Sequence, residues 1–235
     1  MKIQTLLVVS ALLMSGSALL AQDSYNEMMH RNVAKYRLAV QQEPNNAQAQ
    51  EHLATALYTS NYRQLGNAVH CDPASPAVQD EAIAHLRTAI MLQPNHYEWQ
   101  SDLGLYVYNK GRYPEAILAL RKSLHLLGPV RPFLFGDGSE PTFHQAESAF
   151  SAHSLLGDAL SKTRHYAEAE AEYHRAMLFG PGGERLLLNL GLAENGQGNR
   201  SQARAVWQEV ILLSPRPTYY GNKARLMLSK YPEPK

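Results

Sequence analysis

Apolar residues recur along this chain at helical spacing, in paired stripes separated by a short turn. The clearest stretch is Phe150–Pro181, which reads as two helices back to back. Its recurring positions are Leu156, Gly157, Tyr166, Ala169, Tyr173, Ala176 and Pro181. A shift of 34 residues gives Leu190, Gly191, Arg200, Ala203, Trp207, Val210 and Pro215. One helical hairpin cannot bury both of its stripes alone, whereas stacked copies share a continuous core. Small residues then recur where helices cross closely and large ones where they fill space. Gly157 and Ala176 are of the first kind, Leu156 and Tyr173 of the second. Pro181 has no N–H to donate and ends the second helix at a set length.

The same pattern extends upstream with two interruptions. Ala47–Ser60 is predicted as a first helix, with Leu53 and Ala54 at the Leu–Gly positions. Its partner runs from about Pro76 to Gln93, with Ala82, Leu86, Ala89 and Pro94 in place. The residues between, Asn61–Ala77, are an insertion: Pro44 and Pro94 stand 34 plus 16 apart. The next repeat carries Leu103, Gly104, Gly111, Tyr113, Ala116, Leu120 and Ser123, and Gly128 replaces the terminal proline. Ala116 and Ala169 are 34 plus 19 apart, so a second insertion follows, and Gly128–Pro141 reads as a loop. Thr142-x-x-Gln145 is a capping-box pattern that starts the next helix early and carries it to about Lys162. Two further segments flank the repeats. Asp23–Glu43 lacks a first-helix partner and is expected to cap the amino-terminal end. Thr218–Lys230 is expected to cap the carboxyl end, with a tail that frays.

A 34-residue period with this small/large order resembles the tetratricopeptide repeat (TPR), a helix–turn–helix unit that stacks into a superhelix. The resemblance covers Ala47–Pro215, about four repeats. It implies an all-α solenoid, a right-handed superhelix of hairpins with capping helices at both ends. It also implies that positions 2, 5, 9 and 12 of each repeat line a concave, protein-binding groove. Here those are Glu51, Thr55 and Tyr58, then Glu98, Ser101, Leu105 and Tyr108. Ser154, Asp158 and Ser161 follow, then Arg185, Leu188, Leu192 and Asn195. The Lys/Asn/Arg set by which some members clamp a terminal carboxylate is absent. Tyr58 and Tyr108 share one groove position in adjacent repeats and are expected to stand side by side, unless they pack against neighbouring helices. Arg185–Ala193 is apolar nearly all round, so its second face needs cover from the end helix, from the long helix before it or from a partner.

Composition adds an address. Met1–Ala21 has Lys2, an apolar run from Leu6 and small residues towards Ala21, the three parts of a secretory signal. Ser10, Ser15, Gly16 and Ser17 break the run short of the roughly 18 apolar residues that a membrane span needs. The expectation is a mature chain from Gln22, periplasmic or secreted, without a membrane span. Charge is nearly balanced, 22 basic against 21 acidic residues, so no basic stripe marks a nucleic-acid partner. Cys71 is the one cysteine, which leaves no internal disulfide; it is either a lone buried thiol or an intermolecular one.

Catalytic and cofactor chemistry is not expected. There is no HExxH, GxSxG, CxxC or phosphate-cradling glycine loop, and no two histidines share a helix face at metal-pair spacing. His70-Cys71-Asp72 is the one local run of ligand types, and adjacent ligands rarely converge on one metal. Four of five phenylalanines, Phe133, Phe135, Phe143 and Phe150, fall in the second insertion and the helix after it. They either tuck onto the fold or make a second contact surface, with Phe133 and Phe135 as the loop's contact residues. The expected function is an exported adaptor that binds a peptide segment or protein surface in the groove. The alternatives are a structural subunit of an envelope or secretion assembly and a regulatory partner of an enzyme. Oligomeric state is open.

Overall fold

A computed structural model describes residues 27–60, 62–65, 68–71, 76–130, 143–180, 182–214 and 216–233. The signal-like segment 1–21 and the Phe133 and Phe135 positions lie outside these residues. The chain divides into two compact units between Pro94 and Asn95.

In the first unit, residues 27–42 form α1. Helices α2 (Ala47–Ser60) and α3 (Pro76–Leu92) pack as a hairpin. Leu53 and Ala54 of α2 and Ala82, Leu86 and Ala89 of α3 are buried at the expected positions, and Leu57 and Ile83 complete the core. Helix α1 joins them through Arg37, which donates to both carboxylate oxygens of Glu81 at 2.8 and 2.9 Å, and through Tyr36, whose ring lies 5.1 Å from that of His52. The all-α expectation holds for the repeats but not for the insertion between α2 and α3. That segment contains β1 (Tyr62–Leu65) and β2 (Ala68–Cys71), paired antiparallel with Tyr62 opposite Cys71 and Leu65 opposite Ala68. Strands of four residues offer too few positions for a period of two to stand out in sequence. The side chains of 61–75, with Cys71 and the His70-Cys71-Asp72 run among them, lie outside the described residues.

The second unit holds α4 (Tyr97–Asn109), α5 (Tyr113–Leu127), α6 (Phe143–Lys162), α7 (Tyr166–Met177), α8 (Gly183–Gln197), α9 (Arg200–Leu213) and α10 (Tyr219–Lys230). The pairs α4/α5, α6/α7 and α8/α9 are hairpins, and α5/α6, α7/α8 and α9/α10 are the contacts that stack them. Helix α6 runs to Lys162 as the capping pattern predicts. Thr218 caps α10, accepting a hydrogen bond from the Gly221 N–H at 2.9 Å.

The hairpins close on one recurring contact. A Cβ placed on Gly104 would sit 2.6 Å from Leu120, one on Gly157 2.7 Å from Tyr173, and one on Gly191 2.4 Å from Trp207. Each large residue lies 16 positions after its glycine and is fully buried. Only a hydrogen in place of a side chain admits so close an approach. None of the described helices is long and apolar enough to cross a membrane.

Candidate protein-binding groove

The first helices of the three hairpins in the second unit, α4, α6 and α8, lie next to one another. They line a cavity of about 960 Å³, to which α10 and Tyr231 also contribute. Nine residues that the resemblance assigns to the groove border it: Ser101, Leu105, Tyr108, Asp158, Ser161, Arg185, Leu188, Leu192 and Asn195. Two of that set in this unit stand outside it. Glu98 faces His144 at 3.7 Å, and Ser154 is buried beneath Arg185. In the first unit, Thr55 donates to Glu51 at 2.8 Å, while Tyr58 is buried at 6% exposure. Tyr58 and Tyr108 thus belong to different units, Tyr58 to a core and Tyr108 to the cavity wall.

The cavity floor is built on Asp158. This carboxylate is 5% exposed and would be costly to bury alone. Three donors satisfy it. Tyr173 Oη donates to Oδ1 at 2.9 Å, Asn189 Nδ2 donates to the same oxygen at 2.8 Å, and Arg185 Nη1 pairs with Oδ2. The other Arg185 nitrogen, Nη2, donates to Ser154 Oγ at 2.8 Å. Burial and then the Asp158 charge push the Tyr173 phenol far above its ordinary pKa, so it remains a donor. The same two causes raise Tyr108. Burial is the largest influence on Arg185 and lowers its pKa, but the charge and hydrogen bond of Asp158, together with Tyr220 and Tyr173, outweigh it and the guanidinium pKa rises. Because Asp158 and Tyr173 belong to the third repeat and Arg185 and Asn189 to the fourth, this network also joins two repeats.

The structure adds residues that repeat positions alone do not mark. Tyr219, Tyr220 and Lys223 of α10, together with Tyr231, border the cavity. Tyr219 and Tyr220 meet edge to face at 5.2 Å. A capping helix has no groove positions in the repeat scheme, and the Tyr219-Tyr220 doublet was the available signal. Lys162 and Arg164 border it from the end of α6 and the turn after, and Tyr166 from the start of α7. Intramolecular cover accounts for the apolar Arg185–Ala193 run: α8 touches α6, α7, α9 and α10, and Leu186, Leu187, Leu188 and Leu190 are buried. The described phenylalanines of the cluster divide. Phe143 is 77% exposed, whereas Phe150 lies against Gly180 and reaches the cavity. Among the described residues, no three His, Cys, Asp or Glu side chains gather as metal ligands.

Comparison with known proteins agrees with this architecture. A sequence model of the tetratricopeptide repeat matches residues 80–128. Solved structures of MamA share the fold. One crystal structure of the MamA protein is 17% identical with a TM-score of 0.58, over 92% of each chain. Another is 18% identical with a TM-score of 0.55, over 85% of this chain and 90% of that one. MamA 41-end from Desulfovibrio magneticus RS-1 is 20% identical with a TM-score of 0.52, over 67% of this chain and 78% of that one. No curated protein sequence matches the chain. Residues 80–128 thus carry a tetratricopeptide repeat, and the chain has the fold of a TPR solenoid.

Proposed function

We propose that this protein is an exported adaptor that receives an extended segment of a protein partner in the cavity of its second unit, acting by binding and not by catalysis. The observation that carries the reading is the 960 Å³ cavity bordered by nine groove positions and walled by Tyr108, Tyr166, Tyr219 and Tyr220. Tyrosines supply large contact area at low cost in conformational entropy, and such rings often dominate binding energy once desolvated. The floor beneath them is already satisfied by internal hydrogen bonds, so it holds its shape without a ligand. Export rests on the signal-like Met1–Ala21, and the periplasm is the compartment it favours. A native-host mass that begins at Gln22 would support it, and a full-length mass in the cytoplasm would overturn it.

The groove is tested by affinity capture from an envelope extract with Tyr108→Ser/Tyr220→Ser as bait. Both rings border the cavity and neither is fully buried, unlike Tyr58, so the fold should survive. Lost capture with native circular dichroism supports the adaptor. Unchanged capture transfers the function to other surfaces, as a structural subunit of an assembly would use.

A further inference from the structure

Three first helices of the second unit end in the same way. After α4, the Gly111 N–H bonds Tyr108 O at 2.8 Å and the Arg112 N–H bonds Val107 O at 2.9 Å. After α6, Arg164 bonds Ser161 O at 3.1 Å and His165 bonds Leu160 O at 2.9 Å. After α8, Gly198 bonds Asn195 O at 3.1 Å and Asn199 bonds Glu194 O at 3.0 Å. This is the Schellman arrangement, which needs a left-handed residue just past the helix. The φ values there are 75°, 65° and 93°. Two of the three residues are glycines, which hold such angles freely. The third is Arg164, the one non-glycine residue with positive φ among the described residues. Its Cβ costs free energy that a glycine would not incur.

That side chain borders the groove. Among the described residues Arg164 forms no ion pair. The nearby Glu168 is held by Arg121 at 2.6 Å. Lys162, two residues earlier, also borders the groove and forms no ion pair among the described residues. The cavity as a whole carries four cationic side chains against two carboxylates, although the chain is almost neutral. One of those carboxylates, Asp158, is already taken up by Arg185.

We propose that the Lys162–Arg164 turn is a carboxylate-binding element of the groove. It selects partner segments that carry Asp or Glu beside an aromatic residue. The inference rests on the groove reading above and names the chemistry that the groove prefers. A guanidinium presents forked donors that match a carboxylate, and the charge-assisted bond that results is stronger than a neutral one. The surplus positive charge steers an acidic segment towards the cavity. An aromatic residue next to the acid can then lie against the tyrosine wall, where ring pairs add to area burial.

The test uses two fluorescein-labelled peptides, Gly-Phe-Glu-Phe-Glu-Gly and its amide counterpart Gly-Phe-Gln-Phe-Gln-Gly, with binding read by anisotropy on the full chain. The acidic peptide should bind about tenfold tighter, the size of one charge-assisted hydrogen bond, and added salt should shrink the difference. Arg164→Gly should bring the acidic peptide to the affinity of the amide peptide while Tm stays the same or rises. Arg164→Lys, which keeps the charge, should retain part of the preference. A preference that survives Arg164→Gly overturns the inference. So does a lower Tm in Arg164→Gly, which would assign the side chain to the fold. Equal binding of both peptides overturns it and leaves the groove reading standing. Binding of neither overturns both.

Discussion

Replacing Gly191 with alanine tests how the hairpins close. The new Cβ would stand 2.4 Å from Nε1 and 2.7 Å from Cδ1 of Trp207. That is about 1 Å inside the roughly 3.5 Å of ordinary contact. Trp207 has little room to yield. It is fully buried, its Nε1–H donates to Leu188 O at 3.3 Å, and its ring lies 5.8 Å from that of Tyr231. Overpacking a core costs about 1–3 kcal/mol. Alanine recovers about 1 kcal/mol of helix propensity over glycine. A rigid indole puts the first contribution at its upper end, so the net loss at Gly191 is about 1–2 kcal/mol. Gly104→Ala meets Leu120 Cγ at 2.6 Å, an aliphatic side chain that can change rotamer, and the two contributions nearly cancel. Gly157→Ala falls between, because Tyr173 is tied by its hydroxyl to Asp158 at 2.9 Å.

The assay is urea denaturation followed by circular dichroism, with amide hydrogen exchange to localise the loss. Coupling in a repeat stack runs between neighbours, so lost protection in Gly191→Ala should centre on α8 and α9. Trp207→Leu, which places there the residue type that Leu120 supplies in the second repeat, should cost less in the Gly191→Ala background than in the wild type. Equal losses at Gly104, Gly157 and Gly191, or no loss at Gly191, would refute the account.

Two further outcomes are expected. Trp207→Ala should destabilise by about 3–5 kcal/mol, the cost of emptying a large buried site, and hydrogen exchange should show the loss concentrated in the carboxyl-terminal hairpins; uniform loss across all repeats would contradict it. His85 hydrogen-bonds Gln50 at 2.6 Å, and burial, with Arg37 adding to it and Glu81 opposing, holds its pKa below the ordinary 6.5. As pH falls through 6.5 the unfolded chain takes up a proton that the folded state resists, so this site withdraws stability on acidification and none at higher pH. His85→Gln should therefore flatten the dependence of Tm on pH below 6.5, and parallel profiles for the two proteins would remove His85 from the explanation.

Much of this architecture is legible from residue order alone. The 34-residue period, the glycines at 104, 157 and 191 and the prolines after the second helices are local consequences of stacking identical hairpins. Each repeat therefore restates the same constraint, and Ala47–Ser60, Phe143–Lys162 and Thr218–Lys230 can be placed within a residue or so. Which residues share a helix face is legible for the same reason, since a face is a matter of spacing. Of the positions assigned to the groove, however, Glu98 and Ser154 stand outside the cavity and Tyr58 lies in a core. Tertiary structure decided what those faces meet. Asp158 reads in sequence as an open groove residue, but it is buried and satisfied, because Tyr173 reaches it from α7 and Arg185 and Asn189 reach it from α8. The part that α10 plays in bordering the cavity, and the cover over Arg185–Ala193, depend on how the last hairpin and the capping helix pack. Arg164 shows the division most plainly. Its position in the repeat can be counted from sequence. Its left-handed backbone and its place at the cavity emerge only once α6 ends in a Schellman turn beside the groove, because a residue's spacing along the chain does not say which surface its side chain will reach.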